Sequence, residues 1–189
     1  MSISRRFILK PSFFIYTALF LLLLPIRWFL AWMLAAALHE LGHLAALKLF
    51  GYPVRAICLG SGGAVIETDA MRLRHECVCA LSGPLISFII FLFIGKFPLL
   101  GFFGLVQLFF NMIPIWPSDG GRIVKCVLLK YCPCHIAAVL MKSLECICYI
   151  GLLVIGAYIT IQLSFGVVPL LIPIIYYFRQ RKPCKESSL

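Results

Sequence analysis

The chain has 189 residues, of which 62% are hydrophobic and 13% are charged. This charged share is about half that of an ordinary soluble domain, and a soluble protein of this size could not bury so much apolar surface. The composition therefore excludes a soluble globular domain and indicates a protein of the lipid bilayer. The net charge of +10 does not indicate nucleic-acid binding, because the basic residues fall in short clusters between apolar stretches and not in one patch.

Six apolar segments can be drawn along the chain, and they predict an all-α, multi-pass membrane protein with about six transmembrane helices. Spanning a bilayer needs ~20 residues, so the first and last segments are short. The last also contains Pro169 and Pro173. The predicted segments are residues 11–26, 28–49, 77–94, 97–116, 144–163 and 166–178.

The basic residues between these segments predict the orientation of the chain. They are dense before the first segment, after the second, after the fourth and in the tail, and sparse in the other connections. Because cytoplasmic loops carry the excess of Lys and Arg, both termini are predicted to be cytoplasmic. The dense clusters are Arg5, Arg6 and Lys10; Lys48, Arg55, Arg72 and Arg74; Arg122, Lys125, Lys130 and Lys142; and Arg179, Arg181, Lys182 and Lys185.

The connection between the second and third segments has the pattern of a β-hairpin. Two short runs, residues 54–59 and 64–68, flank the glycine-rich sequence Gly60-Ser61-Gly62-Gly63. Short β-prone runs around a glycine turn are typical of a hairpin. A flexible cytoplasmic loop is the alternative interpretation.

The second segment contains the sequence His39-Glu40-Leu41-Gly42-His43. Side chains four residues apart lie on nearly the same face of a helix, so both imidazoles can bind one metal ion. Glu40 lies beside them and can act as the general base toward a water molecule, as in the H-E-x-x-H metalloproteases. An acidic residue such as Glu40 within a membrane segment is costly unless it has a function or a partner. This cost argues against a chance match to the motif.

A catalytic zinc site needs a third protein ligand. His75 and His135, in predicted loops, and the cysteines are candidates. Asp119 is preferred, because it lies in Pro117-Ser118-Asp119-Gly120-Gly121 at the predicted cytoplasmic end of the fourth segment, at a depth matching His39 and His43. The close cysteine pair Cys132/Cys134 with His135 suggests a second metal site only weakly, because two thiols two residues apart point away from each other on a helix.

The HExxH sequence together with residues 111–121 resembles the site-2 protease family of intramembrane zinc metalloproteases (peptidase M50), which pairs HExxH with a later NxxPxxPxDG element. The resemblance covers about residues 28–125, and the short layout is most similar to the stage IV sporulation FB-type branch. Many members of the family carry a PDZ domain, and sporulation-type members often end in a CBS domain. The sequence departs from both patterns, so we expect a single protease domain over residues 1–189 without a PDZ or CBS domain. The resemblance also implies one zinc ion per chain, bound by His39, His43 and Asp119, with Glu40 as the general base.

The resemblance extends to Asn111, which would lie near the substrate or its oxyanion; a helix-capping amide is the alternative. Ser82-Gly83-Pro84 and Ser87 resemble the small-residue element of the family's third span, where many members have Asn at the position of Ser87. That difference argues against a catalytic part for this position, and close helix packing through Gly83 is the simpler interpretation. An extended substrate could add as a strand to the hairpin.

The sequence thus predicts a protease that cuts in or near transmembrane segments of membrane-tethered proteins, such as an anti-sigma or a pro-sigma factor. The active site would open to the cytoplasm from a bacterial plasma membrane or a forespore membrane, and the oligomeric state is left open. Two other functions compete with this prediction. One is a catalytically silent scaffold or chaperone of membrane proteins. The other is another membrane metalloprotein, such as a metal transporter, which would need polar residues on several spans.

Overall fold

The computed structural model describes residues 6–9, 11–23, 25–60 and 63–163 of the chain. These residues are mostly helical and divide into two compact units, Met1–Met112 and Ile113–Leu189. In the described part of the chain, the first unit contains a small sheet and four helices, and the second contains two helices. The elements in chain order are β1 (Arg6–Leu9), α1 (Pro11–Leu23), α2 (Ile26–Leu49), β2 (Val54–Gly60), β3 (Gly63–Thr68), α3 (Leu73–Leu92), α4 (Pro98–Met112), α5 (Asp119–Tyr131) and α6 (Cys134–Leu163).

Helices α2, α3 and α4 pack closely through small residues in the first unit. A Cβ atom on Gly42 would lie 2.7 Å from the carbonyl oxygen of Ser82, and one on Gly104 would lie 3.0 Å from the carbonyl oxygen of Ser87. Both glycines therefore allow neighbouring helix backbones to approach within contact, as in membrane helix packing. This close approach positions the α3 residues that face the His39–His43 side of α2.

The C-terminal end of α2 is fixed by a glycine turn. The Tyr52 N–H donates to the Leu47 carbonyl at 3.0 Å, and the Gly51 N–H donates to the Lys48 carbonyl at 3.1 Å. Gly51 has a φ of 73°, the left-handed conformation that ends many helices in this hydrogen-bond pattern. The turn directs the chain from α2 into β2.

An aromatic contact joins the end of α2 to the start of α3. The Tyr52 hydroxyl lies 3.0 Å from His75 Nδ1, and the Phe50 ring stacks on the His75 ring with centroids 4.3 Å apart. His75 lies in the first turn of α3, so the prediction that it lies in a loop is wrong. A buried cluster of Ala46, Leu47 and Cys79 continues this contact along the two helices.

The predicted hairpin is confirmed. Strands β2 and β3 pair antiparallel, with Ile57 opposite Ile66, while the turn residues 61–62 lie outside the described part of the chain. The sheet also has a third strand that the sequence did not predict. β1 pairs parallel to β2, with Ile8 opposite Cys58, giving the order β1-β2-β3.

Within the described residues, three helices are long and apolar enough to cross a membrane: Ile26–Leu49, Leu73–Leu92 and Cys134–Ile161. Two further apolar stretches of helix are shorter, Phe13–Leu22 and Pro98–Met112. These five helices correspond to the first five predicted segments. The sixth, residues 166–178, lies outside the described residues, so the count of six spans stays a prediction.

Two boundaries in the later part of the chain differ from the prediction. Helix α4 ends at Met112, not at residue 116, because Pro114 and Pro117 have no N–H and disfavour helix before them. Helix α6 begins at Cys134, directly after Pro133, ten residues earlier than predicted. His135 therefore lies in a helix and not in a loop.

Candidate metal centre

His39 and His43 are buried on one face of α2. Their exposed fractions are 3% and 7%. Their spacing of four residues places both rings on the same helix face, as the sequence predicts, with the ring centroids 4.9 Å apart in an edge-to-face arrangement. The two Nε2 atoms lie 3.2 Å apart. Two imidazole ligands of one tetrahedral zinc ion, with Zn–N bonds of ~2.1 Å, have their nitrogens ~3.4 Å apart, so this separation fits a shared metal ion.

The second nitrogen of each ring contacts α3. His43 Nδ1 lies 2.7 Å from the carbonyl oxygen of Cys79, and His39 Nδ1 lies 2.8 Å from Ser87 Oγ. A carbonyl oxygen can only accept, so His43 Nδ1–H donates and the neutral ring has its lone pair on Nε2. This arrangement suits a metal ion bound by the two Nε2 atoms, because metal-binding histidines usually form a hydrogen bond through their other ring nitrogen.

Ser87 is a site residue that sequence reasoning undervalued. Its side chain is fully buried, with an exposed fraction of 0%, and its hydroxyl contacts His39. It lies four residues after Gly83, on the same face of α3, and this spacing was a signal available in the sequence. The hydrogen bond gives Ser87 a part in orienting the His39 ring.

Gly83 does more than allow close helix packing. A Cβ atom at this position would lie 2.2 Å from His43 Nε2 and 2.7 Å from His39 Nε2. Such distances are impossible for non-bonded atoms, so any side chain here would displace the imidazoles. The absence of a side chain leaves space beside the two nitrogens that are suited to a metal ion.

Glu40 and Asn111 belong to the same unit as the two histidines. Glu40 is half-buried in α2 and follows His39 directly, which turns it about 100° around the helix axis from that residue. Asn111 is half-buried in the last turn of α4. Its position at a helix end is compatible with both interpretations of the sequence, a substrate contact or a capping amide.

Asp119 is the first residue of α5, in the second unit. It is buried, with an exposed fraction of 8%, and it begins a separate helix where the sequence predicted the end of the fourth span. Ser118 is the N-cap, and its Oγ accepts a hydrogen bond of 3.2 Å from the Gly121 N–H. A carboxylate in the first turn of a helix interacts favourably with the helix dipole.

The segment before Asp119 is held by a compact set of hydrogen bonds. The Ser118 hydroxyl lies 2.5 Å from the carbonyl oxygen of Ile113 and 2.6 Å from that of Ile115. Gly121 permits this fold, because a Cβ atom there would lie 2.7 Å from the Ile115 carbonyl oxygen. The residues around Asp119 in the predicted NxxPxxPxDG element thus build the turn that presents its carboxylate.

The cysteines do not build a second metal centre in the part of the chain that the structure describes. Cys134 is exposed and Cys132 half-buried, and neither belongs to a group of three possible metal ligands.

Comparisons with known proteins identify the family. The chain is 33% identical over 168 residues to zinc metalloprotease MJ0392 of Methanocaldococcus jannaschii, an alignment covering 79% of this chain and 47% of the relative. It is 29% identical over 153 residues to stage IV sporulation protein FB of Bacillus subtilis, covering 73% and 53%. The chain spans about half the length of these two curated relatives. No protein-family model matches it.

A solved structure agrees with these relatives. The site-2 protease from Methanocaldococcus jannaschii superposes with a TM-score of 0.67 and 26% sequence identity, covering 97% of this chain and 93% of that one. The fold and the buried histidine pair thus agree with the membrane zinc metalloproteases to which the chain is similar. The chain belongs to the site-2 protease family, peptidase M50.

Proposed function

We propose that this chain is an intramembrane zinc metalloprotease that hydrolyses peptide bonds in or near transmembrane segments of membrane-tethered proteins. The observation that carries the proposal is the pair of buried Nε2 atoms 3.2 Å apart on an apolar helix long enough to span a bilayer. The site-2 protease relatives support the same activity.

One zinc ion per chain would be held by His39, His43 and Asp119. Two neutral imidazoles and one carboxylate are the ligand types of catalytic zinc sites, and all three side chains are buried. Zinc, when bound, supplies Lewis acidity that makes water more acidic and polarises a peptide carbonyl.

Glu40 acts as the general base and then as the general acid. A carboxylate oxygen of Glu40 takes one proton from the attacking water while the water oxygen bonds to the scissile carbonyl carbon. The C–N bond then breaks, and Glu40 returns the proton to the leaving amine, so the carboxylate is regenerated. Asn111 would contact the substrate near the reacting carbonyl.

The substrate would meet the protein at the edge of the sheet. In the described residues β3 pairs with β2 alone, so its other edge is open to an added strand. An extended substrate segment has exposed carbonyls, whereas a helical one has them in hydrogen bonds. Substrates with helix-breaking residues should therefore be cut best, and membrane-tethered regulators such as anti-sigma or pro-sigma factors fit this class.

The orientation in the bilayer follows from the basic clusters. We propose that both termini and the opening of the active site are cytoplasmic, in a bacterial plasma membrane or a forespore membrane, with residues 28–125 as the catalytic core. Apolar helices and membrane-protease relatives support an integral membrane protein.

A comparison of membrane proteomes tests the proposal and finds substrates. Cells producing the wild-type protein should show membrane proteins with new termini in or near a transmembrane segment, and cells producing Glu40→Gln should not. The Glu40→Gln protein should still bind zinc, because Glu40 is not a ligand. If the two cell types yield the same cleavage products, the proposed activity is wrong, and a scaffold or transporter would better explain the chain.

A further inference from the structure

Glu145 is an acidic residue within the apolar helix α6. The span Cys134–Ile161 contains two residues with formal charges, Lys142 and Glu145. An ionisable side chain in such a segment is costly, and it usually has a partner and a function. The proposed chemistry makes no use of Glu145.

The partner of Glu145 is a backbone amide in the turn before α5. Glu145 Oε1 accepts a hydrogen bond of 3.0 Å from the Trp116 N–H, across 29 residues of sequence. The turn itself supplies partners for neighbouring amides: the Ile115 N–H donates to the Ile113 carbonyl at 2.8 Å, and the Ser118 N–H donates to the Ile115 carbonyl at 2.9 Å. Glu145 thus supplies from α6 the acceptor for Trp116.

The Trp116 ring is held from a second direction. The Lys125 ammonium lies 4.5 Å from the ring centroid, a cation–π contact, and Lys125 belongs to α5. Trp116, Lys125 and Glu145 line the same groove between α5 and α6. Backbone and side chain of Trp116 are therefore both fixed, three residues before Asp119.

We infer that Glu145 is a positioning residue, which holds the turn at Trp116 and thereby sets the place of the Asp119 carboxylate as a metal ligand. The inference rests on the proposed zinc site. A proton relay through Glu145 is the competing idea, but its contact is a peptide N–H, which does not give up its proton at neutral pH. A hydrogen-bond acceptor that fixes backbone explains the contact directly.

Two variants separate the hydrogen bond from the charge. Glu145→Leu removes the acceptor and also a charge from an apolar helix, so it should fold at least as well as the wild type. Glu145→Gln keeps an acceptor oxygen. We expect Glu145→Leu to lower zinc affinity by ~10–100-fold, the range for residues that orient ligands, and Glu145→Gln to stay within ~3-fold of the wild type. Lys142→Ala, one turn earlier on the same helix and exposed, is the matched control and should have no effect.

The measurement is zinc affinity of the full chain in detergent, by competition with a chromophoric chelator, together with the visible spectrum of the Co²⁺-substituted protein and the melting temperature. An unchanged melting temperature with weakened zinc and an altered Co²⁺ spectrum in Glu145→Leu supports the inference. Wild-type affinity in Glu145→Leu overturns it, as does equal weakening in Glu145→Gln.

A parallel variant keeps the two proposals distinguishable. Asp119→Ala should weaken zinc binding if Asp119 is a ligand. If Asp119→Ala lowers zinc affinity and Glu145→Leu does not, only the positioning role is wrong. If Asp119→Ala binds zinc with wild-type affinity, the proposed ligand set is wrong, and so is the inference that rests on it. Should Glu145→Leu not fold, hydrogen–deuterium exchange at the Trp116 amide of the wild-type protein decides. Protection that is retained in Glu145→Gln supports the hydrogen bond, and an unprotected amide in the wild type overturns it.

Discussion

At the scale of single residues, the site is a set of short contacts between two helices. The spacing of His39 and His43 made their shared orientation predictable, because it follows from helix periodicity alone. The contacts of Ser87 and the Cys79 carbonyl were not predictable in the same way. They join residues 48 and 36 positions apart in the sequence, and only the packing of α3 on α2 brings them together.

The hydroxyl of Ser87 can be tested by substitution. Ser87→Ala should lower zinc affinity by ~10–100-fold, because His39 Nδ1 loses its partner and the ring is free to turn. Ser87→Asn, the residue many family members have at this position, offers an amide oxygen in its place and should restore much of the affinity. Chelator competition measures both, with Ser143→Ala on the exposed side of α6 as control. Equal affinity in wild type and Ser87→Ala would exclude the orienting role.

The space at Gly83 is a second residue-scale prediction. Gly83→Ala places a Cβ atom against both Nε2 atoms, so zinc affinity should fall by ~100-fold or more and cleavage should be lost. Gly151→Ala is the matched control, because a Cβ atom at Gly151 meets nothing within 4 Å. Zinc content after dialysis distinguishes the two variants, and a zinc-replete Gly83→Ala protein would contradict the arrangement.

At the scale of elements, composition and periodicity located the helices but not all of their ends. The predicted second and third segments agree with α2 and α3 within four residues at each end, because long apolar runs are unambiguous. The early start of α6 was missed because Lys142 was assigned to the basic connection after the fourth segment, although it lies within the helix. β1 was missed because four residues are too few for a strand pattern, and its partner strand is distant in sequence.

The N-cap of α5 gives the prediction at this scale. Ser118→Ala removes the acceptor for the Gly121 N–H and the donor to the carbonyls of the turn, which should lower stability by ~1 kcal/mol. Because the turn leads into Asp119, zinc affinity should fall in the same variant. Ser118→Asp keeps an acceptor for the Gly121 N–H but has no hydroxyl to donate to the turn carbonyls. Relative to Ser118→Ala, it should therefore restore stability more than zinc affinity. Thermal melts and zinc titration of the pair check this; full zinc affinity in Ser118→Ala would show that the turn does not depend on its cap.

At the scale of the whole molecule, the basic clusters predict which parts of the chain face the cytoplasm. The exposed Cys134, the first residue of α6, lies within the Arg122–Lys142 stretch whose basic residues are predicted to be cytoplasmic. A membrane-impermeant maleimide should label it in inside-out vesicles and not in intact cells. Mass spectrometry of the modified peptide, with Cys134→Ser as control, assigns the label. Labelling from the outside would reverse the proposed orientation.

The central claim is that this member of the site-2 protease family hydrolyses peptide bonds with zinc and Glu40. The most direct test reconstitutes the purified chain in lipid vesicles with a substrate identified from the proteome comparison. The wild-type protein should bind one zinc ion and cut the substrate, lose activity with a chelator and regain it with zinc. Glu40→Gln should bind the same amount of zinc and cut nothing. Undiminished cleavage by Glu40→Gln, or by the zinc-free wild-type protein, would contradict the claim.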